Sequence, residues 1–311
     1  MTALPLLFPG ARVAVVAPAG RFVVEQLRAG CDMLREQGYQ VVPAPNLWAT
    51  DRYHAGTLAE RQADLDWALA ARDIDAVWLA RGGYGCVQLL RGLRPDQHQP
   101  KPLLGFSDGT ALMAALDRLD WLRDGGALLH APVVHTLAPA AEEGSLQPVL
   151  ADGPSRRHLW QLLQSGQTGP LATVGASAAS HVVRARGPVV GGNLTVLASL
   201  CGTPWQLQAR GRIVLLEDVA EAPYRLDRSL TQLIESGCLD GALAVGLGEF
   251  SGCSATDADG QTYQGTDVLR ERLASLGLPV VGDLPFGHGC RNLAWPWGAA
   301  GVLTENGLKF S

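Results

Sequence analysis

Ser107 stands at the centre of Gly105-Phe106-Ser107-Asp108-Gly109, a G-x-S-x-G pattern. The pentapeptide joins an apolar run, Pro102–Phe106, to a helical stretch from about Asp108 to Leu119. A nucleophile elbow belongs at such a junction, because a turn this tight leaves room only for small residues two positions either side of the serine. The hydroxyl then sits at a helix N-terminus, where backbone N–H groups can stabilise an oxyanion. The same residues would also make an ordinary strand-to-helix N-cap, and the pattern alone does not separate the two.

Three other segments carry groups that could work with such a serine. The loop Arg81-Gly82-Gly83-Tyr84-Gly85 lies between a strand and a helix and could present glycine N–H groups to an oxyanion or phosphate. It is neither G-x-G-x-x-G nor a P-loop, so it argues only weakly for a nucleotide. Glu217 closes the apolar run Ile213-Val214-Leu215-Leu216, a position suited to orienting a histidine, with Asp218 beside it as an alternative. His288 lies between two glycines in Phe286-Gly287-His288-Gly289. A histidine with small neighbours suits general-base work near neutral pH. His130 and His135 flank Ala131-Pro132 and are expected to be structural, while His54, His98, His158 and His181 read as surface residues. No H-E-x-x-H or other zinc spacing occurs, so neither a metal nor another cofactor is expected.

The elements that must position these residues fall into two styles. Residues 12–17, 39–43, 75–80 and 102–106 read as buried strands. They alternate with helices near 24–37, 58–71 and 108–119, and a helix also follows the glycine loop. Apolar strands alternating with amphipathic helices imply a parallel sheet covered on both faces. From about Ala138 to Pro154 alanine, proline, glycine and glutamate dominate, followed by a short helix around Arg157–Gln164. Beyond it, strands at 187–190, 212–217, 242–246, 280–283 and 301–303 mix with helices near 193–200, 226–236 and 266–276, the pattern of an α+β domain. The expected division is a first domain over 1–138, a linker region over 139–185, and a second domain over 186–311.

Bulk properties narrow the partners. Apolar residues make up 47% of the 311 residues and charged ones 18%, the composition of a folded protein. A net charge of −5 argues against nucleic acid or an anionic membrane as partner. Six cysteines occur without a C-x-x-C pair, which suits reduced, mostly structural thiols. The apolar N-terminus lacks a basic leader and is broken by Pro5, Pro9 and Pro18. It reads as a buried first strand rather than a signal peptide, and a cytoplasmic location is expected.

Taken together, these segments resemble the LD-carboxypeptidases, the murein tetrapeptide carboxypeptidases whose relatives include microcin C immunity peptidases. The resemblance is carried by Val15-Val16-Ala17-Pro18-Ala19-Gly20, Ala80-Arg81-Gly82-Gly83-Tyr84-Gly85 and Gly105-Phe106-Ser107-Asp108-Gly109-Thr110. It continues through Gly191-Gly192-Asn193-Leu194, Gly202-Thr203-Pro204-Trp205, Leu216-Glu217-Asp218-Val219 and Phe286-Gly287-His288. The resemblance implies an α/β architecture: a flavodoxin-like parallel-sheet N-terminal domain and a swivelling β/α C-terminal domain. It also implies a homodimer and a metal-free triad of Ser107, Glu217 and His288. The oxyanion donors would be the N–H groups of Gly83 (or Gly82) and Asp108. Arg81, Tyr84, Asn193 and Arg291 are candidate substrate contacts, with Arg81 and Arg291 considered for a terminal carboxylate.

The order Ser107, Glu217, His288 also fits α/β-hydrolases, in which all three would lie on one sheet. The implied reaction is release of terminal D-Ala from a murein stem tetrapeptide during cell-wall recycling. Two alternatives stand beside it: an immunity-type peptidase acting on an acyl-sulfamoyl nucleotide, and a non-catalytic module binding muropeptide or nucleotide. The run between Gly166 and Gly187 is rich in small residues and has no aromatic, which favours the peptide over a base-stacking ligand, although Trp160 and Trp205 could supply a platform.

Overall fold

The computed structural model describes residues 6–138, 151–174 and 184–311. His181, the small residues from Gly175 to Ser180, and two parts of the expected linker lie outside the described residues. The chain divides into two compact units, Met1–Thr168 with Leu293–Pro296, and Gly169–Asn292 with Trp297–Ser311.

The first unit is built on five parallel strands: β1 (Arg12–Val16), β2 (Gln40–Pro43), β3 (Ala76–Leu79), β4 (Pro102–Gly105) and β5 (Ala127–His130). Their spatial order is β2-β1-β3-β4-β5, the flavodoxin-like arrangement. β13 (Trp295–Pro296) adds an antiparallel edge to β5. The helices are α1 (Val24–Glu36), α2 (Leu58–Ala70), α3 (Cys86–Leu89), α4 (Thr110–Arg118) and α5 (Gly153–Ser165). Every residue of β3 is buried, as expected for a central strand covered on both faces. A Thr57–Glu60 capping box starts α2.

Several local expectations need correction. Ser107–Gly109 forms a 3-10 turn, and the α-helix proper begins only at Thr110. β5, Ala127–His130, was not among the expected strands; it ends in a histidine. The His130 ring is buried and stacks on Trp295, with centroids 4.9 Å apart and an interplanar angle of 13°. His54 and His98, read as surface residues, are buried. The His54 ring packs on Tyr53 and that of His98 on Trp121. Trp121 lies far from His98 along the chain, and Tyr84, whose ring also neighbours His54, far from that residue, so a reading by sequence neighbours misses both.

The second unit contains a seven-stranded mixed sheet in the order β12-β9-β8-β7-β14-β15-β6. Its parallel part joins β7 (Arg184–Asn193), β8 (Ile213–Val219), β9 (Ala244–Ser251) and β12 (Val280–Val281). The antiparallel part joins β14 (Ala300–Thr304), β15 (Gly307–Phe310) and β6 (Leu171–Ala172) to β7. Helices α6 (Leu194–Ser199), α7 (Pro223–Glu235) and α8 (Gly265–Ser275) accompany the parallel strands, and β10 (Ser254–Thr256) pairs with β11 (Thr262–Gln264) as a separate hairpin. Glu217 was expected to end its strand. β8 instead runs on to Val219, with an irregularity in its pairing to β9 between Leu216 and Asp218.

Close packing of α1 gives a direct test of the first unit. A Cβ built on Gly30 would lie 2.0 Å from the carbonyl oxygen of Val134. Alanine gains about 1 kcal/mol of helix propensity over glycine. Overpacking against backbone that cannot move costs about 1–3 kcal/mol or more. Gly30→Ala should therefore be destabilising on balance, by up to about 2 kcal/mol in denaturant unfolding, and a stabilised variant would refute this packing.

Candidate active site

In the first unit the site is organised around Ser107, whose φ of +60° lies in the left-handed region. The elbow closes because its two flanking glycines face one side chain. A Cβ on Gly105 or on Gly109 would fall 2.6 Å from Leu79 Cδ1 on the neighbouring strand. The glycine loop is equally tight. A Cβ on Gly82 would meet Ser107 Cβ and Oγ at 2.9 Å, and Gly83 adopts φ +108°. The Gly20 N–H donates to Gly82 O at 3.0 Å, which joins the loops that follow β1 and β3. Those loops leave the carboxyl ends of the two strands between which the chain reverses its direction across the sheet, the place where open α/β sheets bind ligands.

Two side chains not assigned a positioning role from sequence hold this arrangement. The Asp108 carboxylate accepts the Cys86 N–H at 2.8 Å, tying the residue after the serine to the helix after the glycine loop. Burial pushes the Asp108 carboxyl up, against the lowering pull of that N–H and of Arg61. Arg61, buried on α2, donates to Pro18 O at 2.7 Å, Gly85 O at 3.2 Å and Gln88 Oε1 at 2.7 Å. The sequence signal for Arg61 is its place on the buried stripe of α2 with Leu65, Ala68 and Leu69. A guanidinium on an apolar stripe must find acceptors, and here they include one backbone carbonyl from each of the two loops and the Gln88 amide oxygen.

In the second unit His288 Nδ1 and Glu217 Oε2 are 2.6 Å apart. Glu217 is fully buried, and its other oxygen has no hydrogen-bond partner among the described residues. Asp218 is engaged elsewhere. It accepts from Asn193 Nδ2 at 3.0 Å, from Thr195 N and Oγ1 at 2.9 and 2.8 Å, and from the Val219 N–H at 2.9 Å. Burial works to lower the pKa of His288, but Glu217, by charge and hydrogen bond, and then Asp218 and Glu249, prevail and raise it above its ordinary value. The histidine loop is clamped to β9 by Glu249 N–H donating to Phe286 O at 2.8 Å, and closed by Gly287 N–H donating to Asn292 Oδ1 at 3.2 Å. Gly287 itself, at φ +130°, leaves no room for a side chain against Glu249 O and Glu217 Cβ.

The remaining candidates separate clearly. Arg81 is half-buried, donates to the carbonyl of Arg21, and has no carboxylate partner among the described residues. Tyr84 is exposed, with its ring tilted against those of Tyr53 and His54 at centroid distances of 6.3 and 6.0 Å. Asn193 spends Oδ1 on capping α6 through the Val196 N–H and Nδ2 on Asp218, which gives it a structural task at the head of that helix. Arg291 is exposed, three residues beyond His288. His135 accepts the Val23 N–H at 3.3 Å, and burial and then Arg81 push its pKa down to about 4. No group of three or more potential metal ligands occurs among the described residues.

Comparison with known proteins follows the same two-part division. The LD-carboxypeptidase N-terminal domain profile matches residues 13–122, and the C-terminal domain profile matches residues 186–303. The murein tetrapeptide carboxypeptidase of Pseudomonas aeruginosa is 37% identical over 305 residues, covering 96% of this chain and 95% of that protein. The crystal structure of muramoyltetrapeptide carboxypeptidase from Oxalobacter formigenes aligns with a TM-score of 0.76 at 28% identity, covering 95% of this chain and 97% of that one. The microcin C7 self-immunity protein MccF, in complex with glutamyl sulfamoyl guanosine, shares the fold with a TM-score of 0.82 at 21% identity over 100% of this chain and 98% of its own. On the full-length likeness and both domain matches, the chain belongs to the LD-carboxypeptidase family of serine peptidases.

Proposed function

We propose that this chain is a serine LD-carboxypeptidase that hydrolyses the L,D-peptide bond of a murein stem tetrapeptide and releases terminal D-Ala. The observation that carries the chemistry is the 2.6 Å pairing of a fully buried glutamate with His288 Nδ1. The substrate class rests on the full-length likeness to the Pseudomonas aeruginosa enzyme.

In this reading Ser107 is the nucleophile and Glu217 and His288 serve it. With Nδ1–H committed to Glu217, Nε2 is the basic nitrogen and takes the Ser107 proton as Oγ attacks the carbonyl of the diamino acid. Glu217 holds the tautomer and stabilises the imidazolium. The N–H groups of Gly83 and Asp108 stabilise the tetrahedral oxyanion, at roughly 3–4 kcal/mol for each donor. His288 then protonates the departing D-Ala nitrogen, and water, activated by the same histidine, hydrolyses the acyl-enzyme. Arg81, a half-buried cation, suits the terminal carboxylate of the substrate. Tyr84, Arg291 and Asn193 remain candidate contacts, Asn193 through the backbone that it caps.

The same reading includes a homodimer working in the cytoplasm on muropeptide returned for recycling, without nucleic-acid or membrane partners. A net charge of −5 disfavours nucleic-acid and anionic-membrane partners, and no helix among the described residues is long and apolar enough to cross a membrane.

Ser107→Ala should lower kcat by about five to six orders of magnitude while unfolding with an unchanged midpoint, and EDTA should leave the parent enzyme unaffected. Appreciable turnover by the variant, or sensitivity to chelation, would overturn the serine mechanism.

The pH dependence carries a sign. Catalysis needs neutral His288, so kcat/KM falls as pH drops through the pKa of that residue, and its carboxylate neighbours move this acid limb above the ordinary histidine range. Glu217→Gln removes the largest raising influence. It should shift the limb to lower pH and cut kcat about 10³–10⁴-fold. A limb that stays in place would mean that another group titrates.

Substrate class is tested with a defined murein tetrapeptide, its L,L analogue and an aminoacyl-sulfamoyl adenosine, compared by kcat/KM. The tetrapeptide should exceed both by at least about a hundredfold, a difference of roughly 2.7 kcal/mol in transition-state binding. More efficient cleavage of the nucleotide compound would reassign the substrate while leaving the triad proposal intact.

A further inference from the structure

Away from the residues assigned to catalysis, the second unit brings two thiols into contact. Cys201 lies in the turn that follows α6, and Cys238 in the turn that follows α7. Their sulfurs are 3.6 Å apart and both thiols are free. A disulfide needs about 2.05 Å, so closing the bond asks for a shift of about 1.5 Å shared between two turns rather than two helices. The turns are already strapped together. Gln206 accepts the Gly202 N–H at 2.7 Å through Oε1 and donates to Ser236 O at 2.9 Å through Nε2. The Ala209 N–H holds the carbonyl of Cys238 at 3.1 Å.

The two cysteines are not equivalent. Cys201 is half-exposed and Cys238 is completely buried. The hydrogen bond to Cys238 pulls the Cys201 thiol down, overcoming burial, whereas the same contact and burial push Cys238 up. Ser236 Oγ donates to Cys238 Sγ at 3.2 Å and adds a polar neighbour to the pair. Elsewhere, burial raises Cys31 and Cys253 to about 11 each, which disfavours their thiolates. Cys290 is exposed and serves as the internal control.

We propose that Cys201 and Cys238 form an oxidation site that a hydroperoxide converts to an intramolecular disulfide, with Cys201 as the attacking and Cys238 as the resolving thiol. The Cys201 thiolate attacks one oxygen of hydrogen peroxide and the O–O bond breaks. The departing hydroxide takes up a proton to become water, leaving a sulfenic acid on Cys201. Cys238 then attacks that sulfur. The S–O bond breaks, and the Cys238 proton leaves with the hydroxyl as a second water. Two thiols lose two electrons in all, and one peroxide is reduced to two waters. Reduction by a dithiol reverses the bond.

The experiment treats the full chain with a small excess of hydrogen peroxide, quenches it, alkylates under denaturing conditions and maps peptides without reduction. Two of the six thiols should be lost, and one linked peptide pair should join Cys201 to Cys238 and vanish with dithiothreitol. In Cys238→Ser, dimedone should label Cys201. In Cys201→Ser, Cys238 should stay alkylatable, and Cys290→Ser should leave the yield of linked peptide unchanged. Over-oxidation of Cys201 to sulfinic acid with Cys238 still reduced would overturn the proposal. So would a disulfide through Cys290, or oxidation of Cys290 alone.

Discussion

At Ser107 the chain passes from β4 into the following turn with φ at +60°, a conformation that costs a non-glycine residue roughly 1–2 kcal/mol. That constraint reaches into three neighbouring segments. The turn can be this sharp only if Gly105 and Gly109 press against Leu79, and only if Gly82 leaves the space beside the serine side chain empty. Leu79 ends β3, and the glycine loop begins two residues later, so one strand supplies both the surface beneath the elbow and the loop beside it. Asp108 then fastens the elbow to the start of α3, and Arg61 fastens the loop to the chain leaving β1. The strain at one residue is thus held by packing that any added methyl group would disrupt.

Adjacent carboxylates in the second unit meet opposite demands. Removing an ionised carboxylate from water costs several kcal/mol unless donors replace the lost solvation. Asp218 receives four donors and acts as a fastening between β8 and the head of α6. Glu217 is more deeply buried but has, among the described residues, a single hydrogen-bond partner, the His288 ring. A carboxylate so placed favours any state in which that ring carries positive charge. This is why His288 titrates above its ordinary value although burial opposes it. The irregular pairing of β8 with β9 falls between Leu216 and Asp218, where a strand passing through this pair of acids departs from regular pleating.

Glycine in the FGHG loop plays a comparable steric part. Gly287 adopts a backbone conformation that other residues rarely tolerate and lies against both β9 and the glutamate. With Phe286 fully buried on one side and Asn292 receiving the Gly287 N–H on the other, the loop carrying the histidine is short and anchored at both ends. One backbone bond, from Glu249 N–H to Phe286 O, and the Asn292 side chain place the loop, and the Glu217 carboxylate orients the imidazole.

Much of this was legible in the residues themselves, for local reasons. Alternation of apolar runs with amphipathic helices specifies a parallel sheet, because only burial on both faces rewards such strands. The glycine spacing around Ser107 is read directly, since steric exclusion in a tight turn acts over two residues. What the chain alone left open depends on contacts between segments far apart in sequence. Whether Glu217 or Asp218 meets the histidine was decided by which acid the Asn193–Thr195 segment satisfies, across 23 to 25 positions. His54 meets Tyr84 and His98 meets Trp121, both distant along the chain, and Arg61 takes its role from two loops that lie 43 and 24 residues away. Residue type sets which groups can ionise, bend or pack. Which of two similar groups does so is settled by desolvation and by the donors that tertiary structure delivers.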